Sequence, residues 1–151
     1  MGAWGRAVSP PTIMGHRRKG REITLQMLYE MEIKGTEPRA ILELYWKGHG
    51  EEVTEEIRRF STDLLEGAYR NRKEIDEIIE KHSLHWRLAR MAVVDRNILR
   101  LAVYELLYLH DIPTSVVLNE AIEIAKRFGT EDSSAFINGI LDKVAKEVRK
   151  T

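Results

Sequence analysis

The run His16-Arg17-Arg18-Lys19-Gly20-Arg21 packs four cations into five positions at the head of a helical pattern. Guanidinium forks suit phosphate oxygens, so the chemistry on offer is contact with a phosphate backbone. Cations at a helix N-terminus oppose the helix dipole, a penalty on the order of a few tenths of a kcal/mol. A motif unfavourable for its own helix argues for a ligand, although a solvated helix face is the plain alternative. Two aromatic residues offer complementary chemistry. Tyr29 and Phe136 could each stack an unpaired base, an interaction of about 1–3 kcal/mol, or could lie in the core.

Other chemistries find too few residues. His82 and His85 stand three apart with Glu80 nearby, but a metal site needs three or four ligands and a supporting shell. His16, His49 and His110 are scattered, and no His-Glu-x-x-His pattern occurs. The chain has no cysteine, which excludes disulfides, thiolate ligands and cysteine nucleophiles. Glu105 interrupts the most apolar segment, where a buried carboxylate normally pairs with a base; Arg96 and Arg100 on the same helix are the expected partners. Asp95 and Asp142 lack a second carboxylate at a hydrolase spacing, and Ser133 and Ser134 form no nucleophile arrangement with histidine. No glycine-rich phosphate loop is present. Nothing among these residues argues for an enzyme, and ordinary surface or joint histidines are the favoured reading over a metal site.

The elements that must position these side chains are helical throughout. Ile23, Met27 and Met31 recur at four-residue spacing with Leu25, Leu28 and Tyr29 beside them, predicting a helix over 18–34 that Gly35 ends. A short helix over 38–47 opens on Pro38. Thr54 is the expected N-cap of a third helix, with Glu55 and Glu56 in its first turn. Ile75, Ile78 and Ile79 carry a further helix after a break near 71–73, and residues 82–85 form a joint. Residues 94–109 are apolar around most of the helix circumference, which marks a centrally buried helix. Beyond Pro113, Thr114 or Ser115 should cap a helix that Gly129 ends in a left-handed conformation, and a last helix starts near Ser133. Trp46 and Trp86 are expected as packing anchors between helices. No period-2 strand of useful length appears. The fold class is all-α, with helices joined by short loops.

At 151 residues the chain can bury a core without disulfide or metal staples, and its 43% apolar content excludes disorder over its whole length. No run approaches the roughly 18 apolar residues of a membrane helix. The opening MGAWGRAVSPPTIM lacks the apolar region of a secretory signal. It reads as a flexible leader over residues 1–15, ahead of one helical domain over 16–151, in the cytoplasm. Net charge is zero but uneven: residues 1–21 carry +5 and no acid, whereas residues 37–80 hold twelve acids against seven bases.

Four strings together exceed this generic picture: RRKGREITLQMLY (17–29), WRLARMAVVDRNILRLAVYEL (86–106), VVLNEAIEIAKRFGTEDS (116–133) and FINGILDK (136–143). With them the chain resembles the NusB (N-utilisation substance B) family of bacterial transcription antitermination factors, from about residue 17 to residue 146. The resemblance implies about seven helices in two roughly perpendicular three-helix bundles, with no cofactor and no catalysis. It implies a heterodimer with NusE, the ribosomal small-subunit protein that doubles as a transcription factor. That pair would bind single-stranded boxA RNA of nascent ribosomal RNA within an RNA polymerase antitermination complex.

Matched position by position, the resemblance assigns RNA contact to Arg17, Arg18 and Arg21, with Gln26 in the same helix. It adds Asp132 and Phe136 at the start of the last helix. Tyr29 and Asp95 match positions at or near the surface shared with NusE and RNA. Family members stand alone or pair with a second copy, so a homodimer is open. A stand-alone relative of the NusB-like domain of ribosomal RNA methyltransferases is the alternative. The glutamate-rich face between residues 51 and 80 could attract a basic ribosomal protein, or simply be solvated.

A carboxylate repels phosphate, so Asp132 suits an RNA site only if it accepts hydrogen bonds from base amino groups, as acids do toward cytosine in duplex DNA. Asp132→Asn is accordingly expected to strengthen RNA affinity while losing discrimination. A titration in which the variant binds boxA equally or more weakly contradicts that role.

Overall fold

A computed structural model describes residues 13–84 and 86–149, with side chains from Arg17 onward. Residues 1–12 of the expected leader, and His85 of the expected joint, lie outside the described residues. The chain divides into two compact units, residues 1–69 and 70–151. Among the described residues there are seven α-helices, one short 3₁₀ turn and no strand, the all-α class that the periodicity predicts.

The first unit is built from α1 (Ile13–Lys34), α2 (Pro38–His49) and α3 (Glu55–Arg70), whose last residue opens the second unit. α1 begins five residues earlier than its apolar period suggests. That period marks only the turns that bury a stripe, and backbone hydrogen bonding carries the helix further. α1 ends where expected: Gly35 has φ +66°, and the N–H groups of Gly35 and Thr36 both donate to the Met31 carbonyl, at 2.8 and 3.2 Å. A left-handed glycine closes the open carbonyls there. Pro38 sits in the first turn of α2 behind an extended Glu37. Thr54 caps α3, its Oγ1 accepting the Ile57 N–H at 3.2 Å. Ile23, Met27 and Met31 of α1 join Ile41 and Trp46 of α2 and Leu65 of α3 in one core cluster. Trp46 is thus the packing anchor expected of it.

The second unit holds α4 (Arg72–His82), the 3₁₀ turn Leu88–Arg90, α5 (Val93–Tyr108), α6 (Thr114–Phe128) and α7 (Ser133–Val148). α5 packs against α4, α6 and α7, and its Ile98, Leu99, Leu101, Val103 and Leu106 are at most 3% exposed. It is the central helix that its all-round apolarity predicts. The cap of α6 differs from expectation. Pro113 holds the N-cap position and no side chain caps the turn; the Thr114 hydroxyl instead accepts from Arg149 at 3.3 Å.

Arg149 explains why that hydroxyl is occupied. Its guanidinium donates to the carbonyls of Glu105 (3.0 Å), Leu106 (3.0 Å), Leu109 (2.9 Å) and Ile112 (2.5 Å). The last carbonyls of a helix have no partner within it, and a cation at that end also meets the negative pole of the dipole. One side chain therefore closes α5 and ties down the loop leading to α6. Arg149→Ala should lower unfolding free energy by about 2–4 kcal/mol, since several carbonyls lose a charged donor at once. Arg149→Lys should restore less than half of this, because an ammonium lacks the planar fork. Urea unfolding measures both, and a loss under about 0.5 kcal/mol for the alanine variant would contradict the role.

Candidate nucleic-acid interface

The head of α1 is shaped by a glycine inside the helix. A Cβ on Gly20 would lie 2.7 Å from Cδ2 of Phe60, so only glycine admits that ring from α3. One turn on, the Thr24 hydroxyl donates to the Gly20 carbonyl at 2.8 Å, with the Ser61 carbonyl at 3.2 Å. Small residues thus bring the two backbones close. The Phe60 ring then carries two cations, with the guanidinium carbons of Arg17 and Arg21 at 5.3 and 5.5 Å from its centroid. Guanidinium groups over an aromatic face are held by the ring quadrupole.

Arg17 is exposed and Arg18 half-buried, whereas Arg21 is 2% exposed. Gln26 and Tyr29 are both half-buried further along α1. Tyr29 shares the helix face of Arg18 about three turns on. Arg17, Glu55, Glu56, Phe60 and Asp63 border a hollow of about 460 Å³, so exposed acids of α3 stand beside the first cation. The sequence offered no sign of Phe60 as a positioning residue. A glycine among arginines inside a helix was the available signal.

In the second unit, Asp132 and Phe136 come together at the opening of α7. Asp132 occupies the N-cap position, is exposed, and makes no capping bond with its side chain. Ser133 does the local work: its Oγ accepts the Thr130 N–H at 2.9 Å. Gly129 is not left-handed as expected. Its φ of −93° and ψ of −166° are extended, and glycine is needed because a Cβ would sit 2.5 Å from the Ser133 Oγ and 2.8 Å from the Ala125 carbonyl oxygen. Phe136, one turn after Asp132, is half-buried, with its N–H donating to the Asp132 carbonyl at 3.2 Å.

Trp86 departs from expectation. It is 55% exposed and meets Phe136 edge to face, with centroids 6.4 Å apart and planes at 80°. A tryptophan in the joint between α4 and α5 lies on no helical stripe and so has no core face to occupy.

Asp95 lies half-buried in the first turn of α5, where the dipole favours a carboxylate. Its Oδ1 is buried with no hydrogen-bond partner among the described residues. Arg100 forks onto Asp76 of α4 at 2.9 and 3.2 Å, a pairing between helices that periodicity along α5 does not reveal. Glu105 is 2% exposed. The Glu80 carboxylate is committed to the Leu88 N–H at 2.9 Å. Lys81 donates to Glu147 at 2.5 Å and holds that carboxyl below the ordinary range, with His82 alongside at 3.3 Å. Among the described residues, no group of three or more histidines and acids is placed to hold a metal ion.

A model of the NusB family matches residues 18–146. The transcription antitermination protein NusB of Myxococcus xanthus is 47% identical over 139 residues, spanning 91% of this chain and 99% of that protein. Among solved structures, NusB of T. maritima superposes with a TM-score of 0.80 at 38% identity, covering 93% of this chain and 94% of that one. A structure of antitermination factors NusB and NusE in complex with double-stranded RNA superposes with a TM-score of 0.79 at 27% identity, covering 87% and 97%.

The turn before α7 can be tested on its own. Gly129→Ala keeps an allowed backbone conformation and adds only the clash with Ser133 and Ala125. It should cost about 1–3 kcal/mol, seen as a lower thermal midpoint. A variant as stable as the parent means that the turn yields.

Proposed function

The chain belongs to the NusB family, and on that premise we propose that it is a non-catalytic transcription antitermination factor acting in the cytoplasm. With NusE it binds boxA of nascent ribosomal RNA and, within the antitermination complex, keeps RNA polymerase elongating. The observation that carries this is the opening half of α1, where the Phe60 ring holds the guanidinium groups of Arg17 and Arg21 within 5.5 Å of its centroid, ordering forked donors of the kind that suit phosphate oxygens. Arg17 and Arg18 meet phosphates. Arg21, buried on the same ring, steadies that ring beside Arg17.

Bases are read at α7. Asp132 is unspent by its own helix and accepts from base amino groups, while Phe136 stacks an unpaired base. Gln26 is a further RNA contact on α1. Tyr29 and Asp95 serve the surface shared with NusE, and the exposed acids of α3 attract that basic protein, favouring fast association.

Binding of boxA RNA with NusE, measured across salt concentration, tests this. Affinity should fall steeply as salt rises, because phosphate neutralisation releases counterions. Replacing Arg17 and Arg18 together by alanine should reduce the log–log slope by about 1.4, at about 0.7 per single-strand phosphate lost, with helical circular dichroism unchanged. Retained affinity and an unchanged slope would move the RNA site off α1.

A further inference from the structure

The joint between α4 and α5 holds a tryptophan that stands largely exposed, touching α7 only by its contact with Phe136 among the ring pairs described. Its backbone is fixed from several sides. The Trp86 N–H donates to the Ser83 carbonyl at 3.1 Å, and the Ser83 hydroxyl donates to the Trp86 carbonyl at 2.5 Å. Two residues on, Glu80 takes the Leu88 N–H. Leu84 turns the chain there with φ +56°, a left-handed conformation that costs a side-chain-bearing residue strain and is kept where a site needs it. Glu80, Leu84, Trp86 and Arg87 surround a hollow of about 380 Å³.

We propose that Trp86 is the stacking platform for a second unpaired base of the bound RNA, adjacent to the base at Phe136. The inference rests on the RNA-binding role proposed above and names a base-binding position within it. The two rings stand at 80°, so one base cannot lie flat on both. Two bases splayed apart can each take one ring, which is how single strands are read by aromatic side chains. Charge around the hollow sorts the rest of the nucleotide. The Glu80 carboxylate, one oxygen of which holds the Leu88 N–H, repels phosphate, and its charge suits the amino edge of a base. Arg87, exposed and lining the same hollow, suits the phosphate. Because the backbone groups of Trp86 and Leu88 are already bonded, little ordering of these residues remains to oppose binding.

The test uses the full chain with NusE and a single-stranded boxA oligonucleotide, together with a set of oligonucleotides each lacking one base. Trp86→Ala should weaken binding to the intact RNA by roughly 5- to 150-fold, the range of one lost stack. Trp86→Phe should keep most of the affinity. On one particular abasic RNA, Trp86→Ala and the parent should bind alike, since the stacked base is already gone. Equal binding of parent and alanine variant on intact RNA overturns the proposal. So does a loss of the same size on every abasic RNA, or a loss traced to weaker NusE binding without RNA, which would make Trp86 a protein-docking residue. If the parent itself fails to bind boxA, the antitermination reading falls first, and this is seen before any variant is compared.

Discussion

A helix that is apolar around most of its circumference cannot rest at a surface, and in the second unit the need to enclose α5 on every side governs the remaining arrangement. α4, α6 and α7 supply the enclosure. Burying a helix also buries its last carbonyls, which must then find donors within the protein. Arg149 meets that demand with a single side chain. The same enclosure decides what α7 can offer. With Ile137, Leu141 and Val144 fully buried, its opening turn is left with an exposed Asp132 and a half-buried Phe136.

In the first unit the corresponding constraint is one of size. A glycine inside a helix is worse than alanine by about 1 kcal/mol, and Gly20 persists because the Phe60 ring occupies the space of its missing Cβ. That exchange brings a hydrophobic contact and a cation-binding face to the same spot. The disposition of Arg17 and Arg21 therefore depends on a residue of α3. Gly129 repeats the logic in the second unit, where close approach by Ser133 rather than a left-handed backbone demands glycine. Once Ser133 accepts the turn's N–H, Asp132 is left to face outward. Local satisfaction of backbone donors thus leaves that carboxylate exposed at the opening of the helix.

Much was legible in the residues alone. Period-3.6 stripes, Gly35 and Thr54 placed the helices and several of their ends, because these signals act through hydrogen bonds and contacts made within a few positions of chain. The buried rank of α5 was equally plain, since circumference is a local property. The charge-dense opening of α1 and the aromatic at 136 stood out by type and spacing, as did the strings shared with NusB proteins.

What composition and periodicity could not supply were relations between positions remote along the chain. Nothing near Arg17 announces Phe60, nothing near Glu105 announces Arg149, and nothing near Trp86 announces Phe136. Trp86 was expected inside and stands outside, because whether a tryptophan anchors or projects depends on which neighbour packing brings to it. The sequence by itself determined the helices, their buried faces and the charges they carry. Only the tertiary structure decided which rings, forks and carboxylates meet, because those contacts exist only once separate helices have closed against one another.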